Sequence, residues 1–258
     1  MARHAVGGRV VGYEVHGDGP ALFAVHGTTQ ARNAWDQVRA ACDARVTWIQ
    51  VDLPGSGESS MPEGPIDLGA VTDDLAHLAT ALGHETFHVA GYSLGAVVAL
   101  ATASRHADRV ASVFSLCGWA QTDARMRMTF DLWRRLLEVS PELFMRYALV
   151  DGYTAPALEV LEPMADAAAS MAATVVQPGS AAHLELDSRV DIVGELSSIS
   201  GRCTVVGAVQ DRWVDVQKSR DIAAAVPGAR LVEIDAGHLV IGERADAVAT
   251  ALSTHLRD

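Results

Sequence analysis

Cysteine is scarce in this chain: Cys42, Cys117 and Cys203 are the only three among 258 residues, and no two form a C-x-x-C pair. An odd, scattered set excludes a disulfide framework and a zinc ribbon. It reads as reduced, partly buried thiols in a reducing compartment. Positive charge is also in deficit. The 20 Lys and Arg residues face 32 Asp and Glu, giving a net charge of −12. Nucleic-acid binders carry basic patches instead, and an anionic membrane surface would repel such a chain. No run of about 18 apolar residues occurs, and the N-terminus lacks a charged stretch followed by an apolar one. The expectation is a cytoplasmic protein with neither a nucleic-acid nor a membrane partner.

What is present is an apolar chain, 49% hydrophobic, long enough to bury one large core or a core carrying an insertion. The start, GRVVGYEVHGDGPALFAVHG, reads as short strands broken at the Gly17–Asp18–Gly19–Pro20 turn. Strand-like and helix-like runs then alternate. Residues 46–53 read as a strand, 68–83 as a helix ending at Gly83, and TFHVAG as a strand. SLGAVVALATASRH follows as a helix and RVASVFSLCG as a strand. After a gap come strand 202–209, helix 216–226, strand ARLVEID and a last helix, ADAVATALSTHL. Apolar strands alternating with helices predict a mostly parallel sheet covered on both faces.

The gap, residues 120–194, has its own character. Met128, Leu132, Leu136 and Val139 stand at helical spacing among Arg127, Arg134, Arg135 and Glu138. PELFMRYALV reads as a second helix, and residues 155–176 as a third, disturbed at Pro163. Ligands of open α/β sheets bind at the carboxyl ends of the strands. The block is therefore expected to be a helical lid (120–194) over a core built from residues 1–119 and 195–258.

Gly91–Tyr92–Ser93–Leu94–Gly95 matches G-x-S-x-G between a strand and a helix, the context a nucleophile elbow requires. The tight turn demands small residues two before and two after the serine, and it lifts the hydroxyl clear at the positive end of the following helix. The plainer alternative is a helix N-cap. A serine hydroxyl needs a base. Of ten histidines, His4 and His255 lie near the termini, His77, His84 and His106 on polar faces, and His88 within a strand. His26 precedes a glycine and reads as a loop organiser. His238 leaves a strand through a small-residue turn late in the chain. Asp211 lies just past the end of the preceding strand, where it would orient the base and offset its charge. The order Ser93, Asp211, His238 is that of an α/β-hydrolase and not of the other serine hydrolase folds. Two backbone amides should hold the oxyanion: Leu94, following the nucleophile, and Thr28, following Gly27 in ALFAVHGTTQ.

Together these motifs resemble the α/β-hydrolase superfamily, in its lidded branch of esterases, lactonases, enol-lactonases and cofactor-free haloperoxidase-like proteins. HGTT is similar to the family's oxyanion loop, DLPGSGESS to its D-x-P-G-x-G-x-S loop, GYSLGA to its elbow, QDRWV to its acid loop and AGHL to its histidine loop. Before the acid, Arg202 and Ala208 stand where members usually carry proline and glycine. The resemblance implies an eight-stranded, mostly parallel sheet with flanking helices and an inserted helical lid. It also implies Ser93 as nucleophile, Asp211 as acid, His238 as base, and Thr28 and Leu94 as oxyanion donors. No metal or organic cofactor is implied. The expected reaction is hydrolysis of a carboxylic ester or lactone of a small to medium, largely apolar compound. The pocket is expected to draw on Tyr92, Trp119, Phe130, Trp133 and Trp213. A thioesterase acting on a carrier-bound or coenzyme A acyl group, and a non-hydrolytic binding protein or cyclase on the same fold, stay open as alternatives.

Overall fold

A computed structural model of the chain describes residues 2–174 and 176–257. Eight strands form one sheet: β1 (Ala2–Val6), β2 (Arg9–His16), β3 (Ala21–Val25), β4 (Thr47–Val51), β5 (Phe87–Tyr92), β6 (Val110–Leu116), β7 (Arg202–Ala208) and β8 (Arg230–Ile234). Their spatial order is β1-β2-β4-β3-β5-β6-β7-β8. β1 pairs antiparallel with β2, and β2 with β4; every pairing from β4 across to β8 is parallel. β1 and β2 turn on Gly7 and Gly8, both at positive φ, where glycine carries no Cβ penalty.

The helices in chain order are α1 (Asp36–Ala41), α2 (Leu68–Ala81), α3 (Leu94–Arg105), α4 (Ala124–Val139), α5 (Pro141–Gly152), α6 (Ala155–Leu161), α7 (Ala165–Ala173), α8 (Ser180–Ser188), α9 (Val216–Ala225), α10 (Val240–Glu243) and α11 (Ala245–Arg257). Both faces of the sheet are covered, as its strands reveal. In β3, Ala21, Phe23 and Val25 belong to one hydrophobic cluster, with α2, α3 and α9. Leu22 and Ala24 belong to the opposite one, with Trp35, Val38 and residues of α11. That is the period-two alternation of a strand buried on both sides. β7 runs straight through Arg202 and Ala208, so the two departures from the family pattern leave the strand intact.

The chain goes from β3 to β4 on one side and later returns to pair β5 on the other. A crevice therefore opens at the carboxyl ends of β3 and β5, where the topology switches. Five helices, α4 to α8, stand between β6 and β7. Their starts follow local chemistry: Asp123 caps α4 by accepting from the Met126 amide at 2.9 Å, and Ser140 caps α5 ahead of Pro141. Pro163 lacks an N–H, and a 3₁₀ turn at Glu162–Met164 separates α6 from α7 there. The expected helix over 155–176 extends across Val175, which lies outside the described residues.

Of the residues at helical spacing in α4, Leu136 packs against the core while Met128 and Val139 are each 75% exposed, and the buried face of α4 is Met126, Phe130 and Trp133. Two aromatic rings bury more area than the aliphatic stripe offers, so they decide which way the helix turns.

Candidate active site

Ser93 ends β5 and opens α3 at φ 55°, ψ −119°, a conformation that L-residues adopt only when their surroundings impose it. The surroundings are steric. A Cβ on Gly91 would stand 1.9 Å from the Gly95 carbonyl oxygen, and one on Gly95 would stand 2.2 Å from the Val25 carbonyl oxygen. Ser93 occupies the N-cap position of α3, yet its side chain caps nothing. Its hydroxyl donates to His238 Nε2 at 3.0 Å. The helix-cap alternative therefore fails.

His238 Nδ1 donates to Asp211 Oδ2 at 2.6 Å, which leaves Nε2 as the acceptor facing Ser93. The other Asp211 oxygen accepts the amides of Trp213 and Val214, each at 2.8 Å. The carboxylate is thus aimed by backbone as well as by its histidine. Asp211 and His238 follow the ends of β7 and β8, so strands fix all three residues. His238 is held from outside as well: Tyr92 Oη donates to its carbonyl at 2.9 Å, and the Leu239 amide donates to the Gly152 carbonyl at 3.0 Å. The end of α5 also anchors the acid loop, because Trp213 Nε1 donates to Asp151 at 2.8 Å.

The loop after β3 abuts the serine; a Cβ on Gly27 would lie 3.1 Å from Ser93 Cβ. Among the described residues none accepts the Thr28 amide. The Leu94 amide belongs to the first turn of α3, whose N–H groups have no intrahelical partner. His26 takes the Leu53 amide on Nε2 at 3.0 Å and donates from Nδ1 to the Gly27 carbonyl at 2.7 Å. Burial pushes its pKa down to about 4, so it is neutral and bound at both nitrogens. It ties the β3 and β4 loops together and cannot reach Ser93 as a base. The DLPGSGESS loop is built around Asp52, which accepts the Arg32 amide at 2.9 Å and the Glu58 amide at 3.0 Å.

A cavity of about 240 Å³ opens over Ser93 and His238. Thr28, Thr29, Gln30 and Asn33 form one wall, and Trp133, Phe144, Met145, Ala148, Trp213 and Leu239 the other. Of the five aromatics expected to form the pocket, Tyr92, Trp133 and Trp213 line this cavity. Trp119 and Phe130 do not line the cavity: they pack in a row with Trp133, ring centroids 5.7 Å apart at each step, Phe130 meeting Trp133 edge to face. Phe144, Met145 and Ala148 were missed, although they form one face of α5. None of Arg125, Arg127, Arg134 and Arg135 lines the cavity. Arg134 and Arg135 pair with Asp131, Arg127 donates to the Thr122 carbonyl, and Arg125 donates to the Arg212 carbonyl.

The ligand atoms of Cys117, Asp211 and His238 lie within 4.8 Å of one another. They are the described residues best placed to hold a metal ion, but the carboxylate and Nδ1 in that group are already joined to each other. Burial and the Asp211 charge push the Cys117 thiol pKa up, so the sulfur stays protonated beside the acid.

The alpha/beta hydrolase family model matches residues 22–251. The chain belongs to this family. It is 25% identical over 243 residues to pyrrolizixenacetamide deacetylase of Xenorhabdus hominickii, covering 93% of this chain and 91% of that one. Its fold matches the enol-lactonase of Burkholderia xenovorans LB400 with a TM-score of 0.88 at 23% identity, over all of both chains. A thermophilic esterase of Thermogutta terrifontis matches with a TM-score of 0.86 at 26% identity, over 100% of this chain and 98% of the other.

Proposed function

We propose that this α/β-hydrolase is a serine hydrolase that cleaves a carboxylic ester or lactone of a small, uncharged, largely apolar compound. The observation that carries this reading is the hydrogen-bonded chain Ser93–His238–Asp211 at the base of the cavity. The Ser93 oxygen attacks the carbonyl carbon while His238 Nε2 takes its proton, and the amides of Thr28 and Leu94 hold the oxyanion. The leaving alkoxide departs with the proton from His238, leaving an acyl-Ser93. Water, deprotonated by the same nitrogen, then attacks and releases the acid. Helices α4 to α8 act as the lid, with α4 and α5 supplying the apolar wall.

A fluorophosphonate probe tests this reading directly. The wild type should label at Ser93, and Ser93→Ala should not. A folded wild type that stays unlabelled would refute it. The cavity also limits the acyl group. Long chains would overpack its aromatic wall at a cost of roughly 1–3 kcal/mol, so kcat/KM on p-nitrophenyl esters should fall about tenfold or more from butyrate to decanoate. A profile that rises with chain length would contradict the assignment of this cavity. No Lys, Arg, Asp or Glu side chain lines it among the described residues, so carboxylated substrates should fare worse than their neutral methyl esters. The similarity to a deacetylase favours a second reading, an amide substrate. The same residues would serve it, with His238 protonating the departing amine. Parallel assays on matched acetate esters and acetamides decide between the two.

A further inference from the structure

Asp187 is fully buried in the helical insertion, on α8, and the chemistry described above leaves it without a task. Its Oδ2 takes the hydroxyl of Thr28 at 2.7 Å, the residue whose amide is assigned to the oxyanion. Its Oδ1 is buried without a partner. Its backbone carbonyl takes the hydroxyl of Thr122, which itself accepts from Trp119 Nε1 at 2.9 Å. The loop it touches needs outside support: Thr29 stands at φ 66°, left-handed for a residue with a branched side chain. One further bond from the insertion reaches that loop, from the Gln177 amide to the Thr29 carbonyl at 3.3 Å.

An ionised carboxylate with one neutral donor and one bare oxygen would be a poorly compensated buried charge. A neutral carboxylic acid fits the same surroundings. We propose that Asp187 is a positioning residue for the oxyanion loop, acting as a neutral acid that takes the Thr28 hydroxyl and fixes where the Thr28 amide points. It makes the insertion a working part of the oxyanion hole as well as a cover.

Burial pushes the Asp187 pKa up from its ordinary value to about 8. The titratable and charged side chains on the elements packed around it do not offset this: on α4, Arg125, Arg127, Asp131, Arg135 and Glu138 are exposed and Arg134 pairs with Asp131. His183 on α8 and His26 on the loop are buried with pKa values near 4 and stay neutral. Glu185 is exposed, and Arg189 just past α8 is turned to the Ile66 carbonyl. The unfolded chain ionises Asp187 near pH 4 and the folded one near pH 8, so its protonation favours folding at low pH. That stability drains away as pH rises from about 4 to about 8.

The inference rests on the serine-hydrolase reading, and five enzymes test it: wild type, Asp187→Asn, Asp187→Leu, Thr28→Val and the Asp187→Leu/Thr28→Val double variant. Asparagine keeps an acceptor for the hydroxyl and cannot ionise. It should keep kcat within about threefold and raise Tm at pH 8 but not at pH 4.5. Leucine and Thr28→Val each break the bond. Each should lower kcat roughly 10- to 100-fold with KM little changed, as expected when an interaction made only in the transition state is lost. The double variant should lose no more than either single one. If leucine does not fold, Thr28→Val carries the test, because it leaves α8 untouched. Unchanged kcat in Thr28→Val, a loss in asparagine as large as in leucine, or losses that multiply in the double variant would each overturn the proposal. An unlabelled, inactive wild type would instead remove the hydrolase reading beneath it.

Discussion

His238→Ala should lose about 10³-fold or more in kcat on the best neutral ester. Ser93 then loses its hydrogen-bond acceptor, and among the described residues no second histidine is placed to replace it. His26 is bound to backbone at both ring nitrogens, and His183 donates Nε2 to the Pro54 carbonyl. The oxyanion donors proposed above are backbone amides and would survive the substitution, so a residual rate above the uncatalysed one should persist. Losing the ring also opens a buried hole. The loop nevertheless stays tethered through Tyr92 Oη on the residue 238 carbonyl and through the Leu239 amide on Gly152. Tm should therefore fall far less than activity, and KM should hold within a few-fold. Steady-state kinetics beside thermal denaturation separates the two effects. A kcat within tenfold of wild type, in a folded protein, would remove His238 from the role of base.

The sheet was legible in the sequence because its central strands, β3 to β7, are buried along nearly their whole length and read as apolar runs between helices. The hydrogen-bonded Ser93, His238 and Asp211 could be proposed from sequence for a related reason: each follows a strand end, and strand ends can be read from apolar runs. What escaped was polar and buried. α8 hides His183 and Asp187 among Leu184 and Leu186, so polar side chains occupy positions where an amphipathic pattern would demand apolar ones. No periodicity then marks the helix, and its carboxyl contact with Thr28 spans 159 residues of chain. The buried face of α4 was left open for the opposite reason. Two apolar stripes share that helix, and only the partner surface, here Trp213 and Phe144 against Trp133, decides which is buried. Pocket residues on α5 escaped because an apolar helix face looks the same whether it meets core or cavity.

The two elbow glycines, which motif reasoning treats alike, do different work, and Gly95→Ala should be the more revealing substitution. A Cβ on Gly91 would collide inside the elbow itself, with the Gly95 carbonyl. A Cβ on Gly95 would collide with another strand: it would sit 2.2 Å from the Val25 oxygen and 2.6 Å from the His26 oxygen. Those atoms cannot yield cheaply. Val25 is laddered to Val51 on one side and Gly91 on the other, and its carbonyl also takes Trp35 Nε1 at 3.0 Å. Relief requires α3 to lift off the end of β3, and the destabilisation should reach about 3 kcal/mol or more, at the upper end of overpacking costs. Because β3 leads directly into Gly27 and Thr28, any protein that still folds should carry a displaced oxyanion loop and a reduced kcat. Gly64→Ala is the control: nothing lies within 4 Å of its added Cβ. It should be neutral, or stabilising by about 0.4–1 kcal/mol through the unfolded chain. Urea midpoints for the two variants decide the matter. If Gly95→Ala fell within about 1 kcal/mol of the control, the close approach of α3 to β3 would not be what forbids a side chain there. A large gap would mean that one glycine sets both the elbow and the wall opposite it, so nucleophile and oxyanion donors are held in register by a single backbone contact.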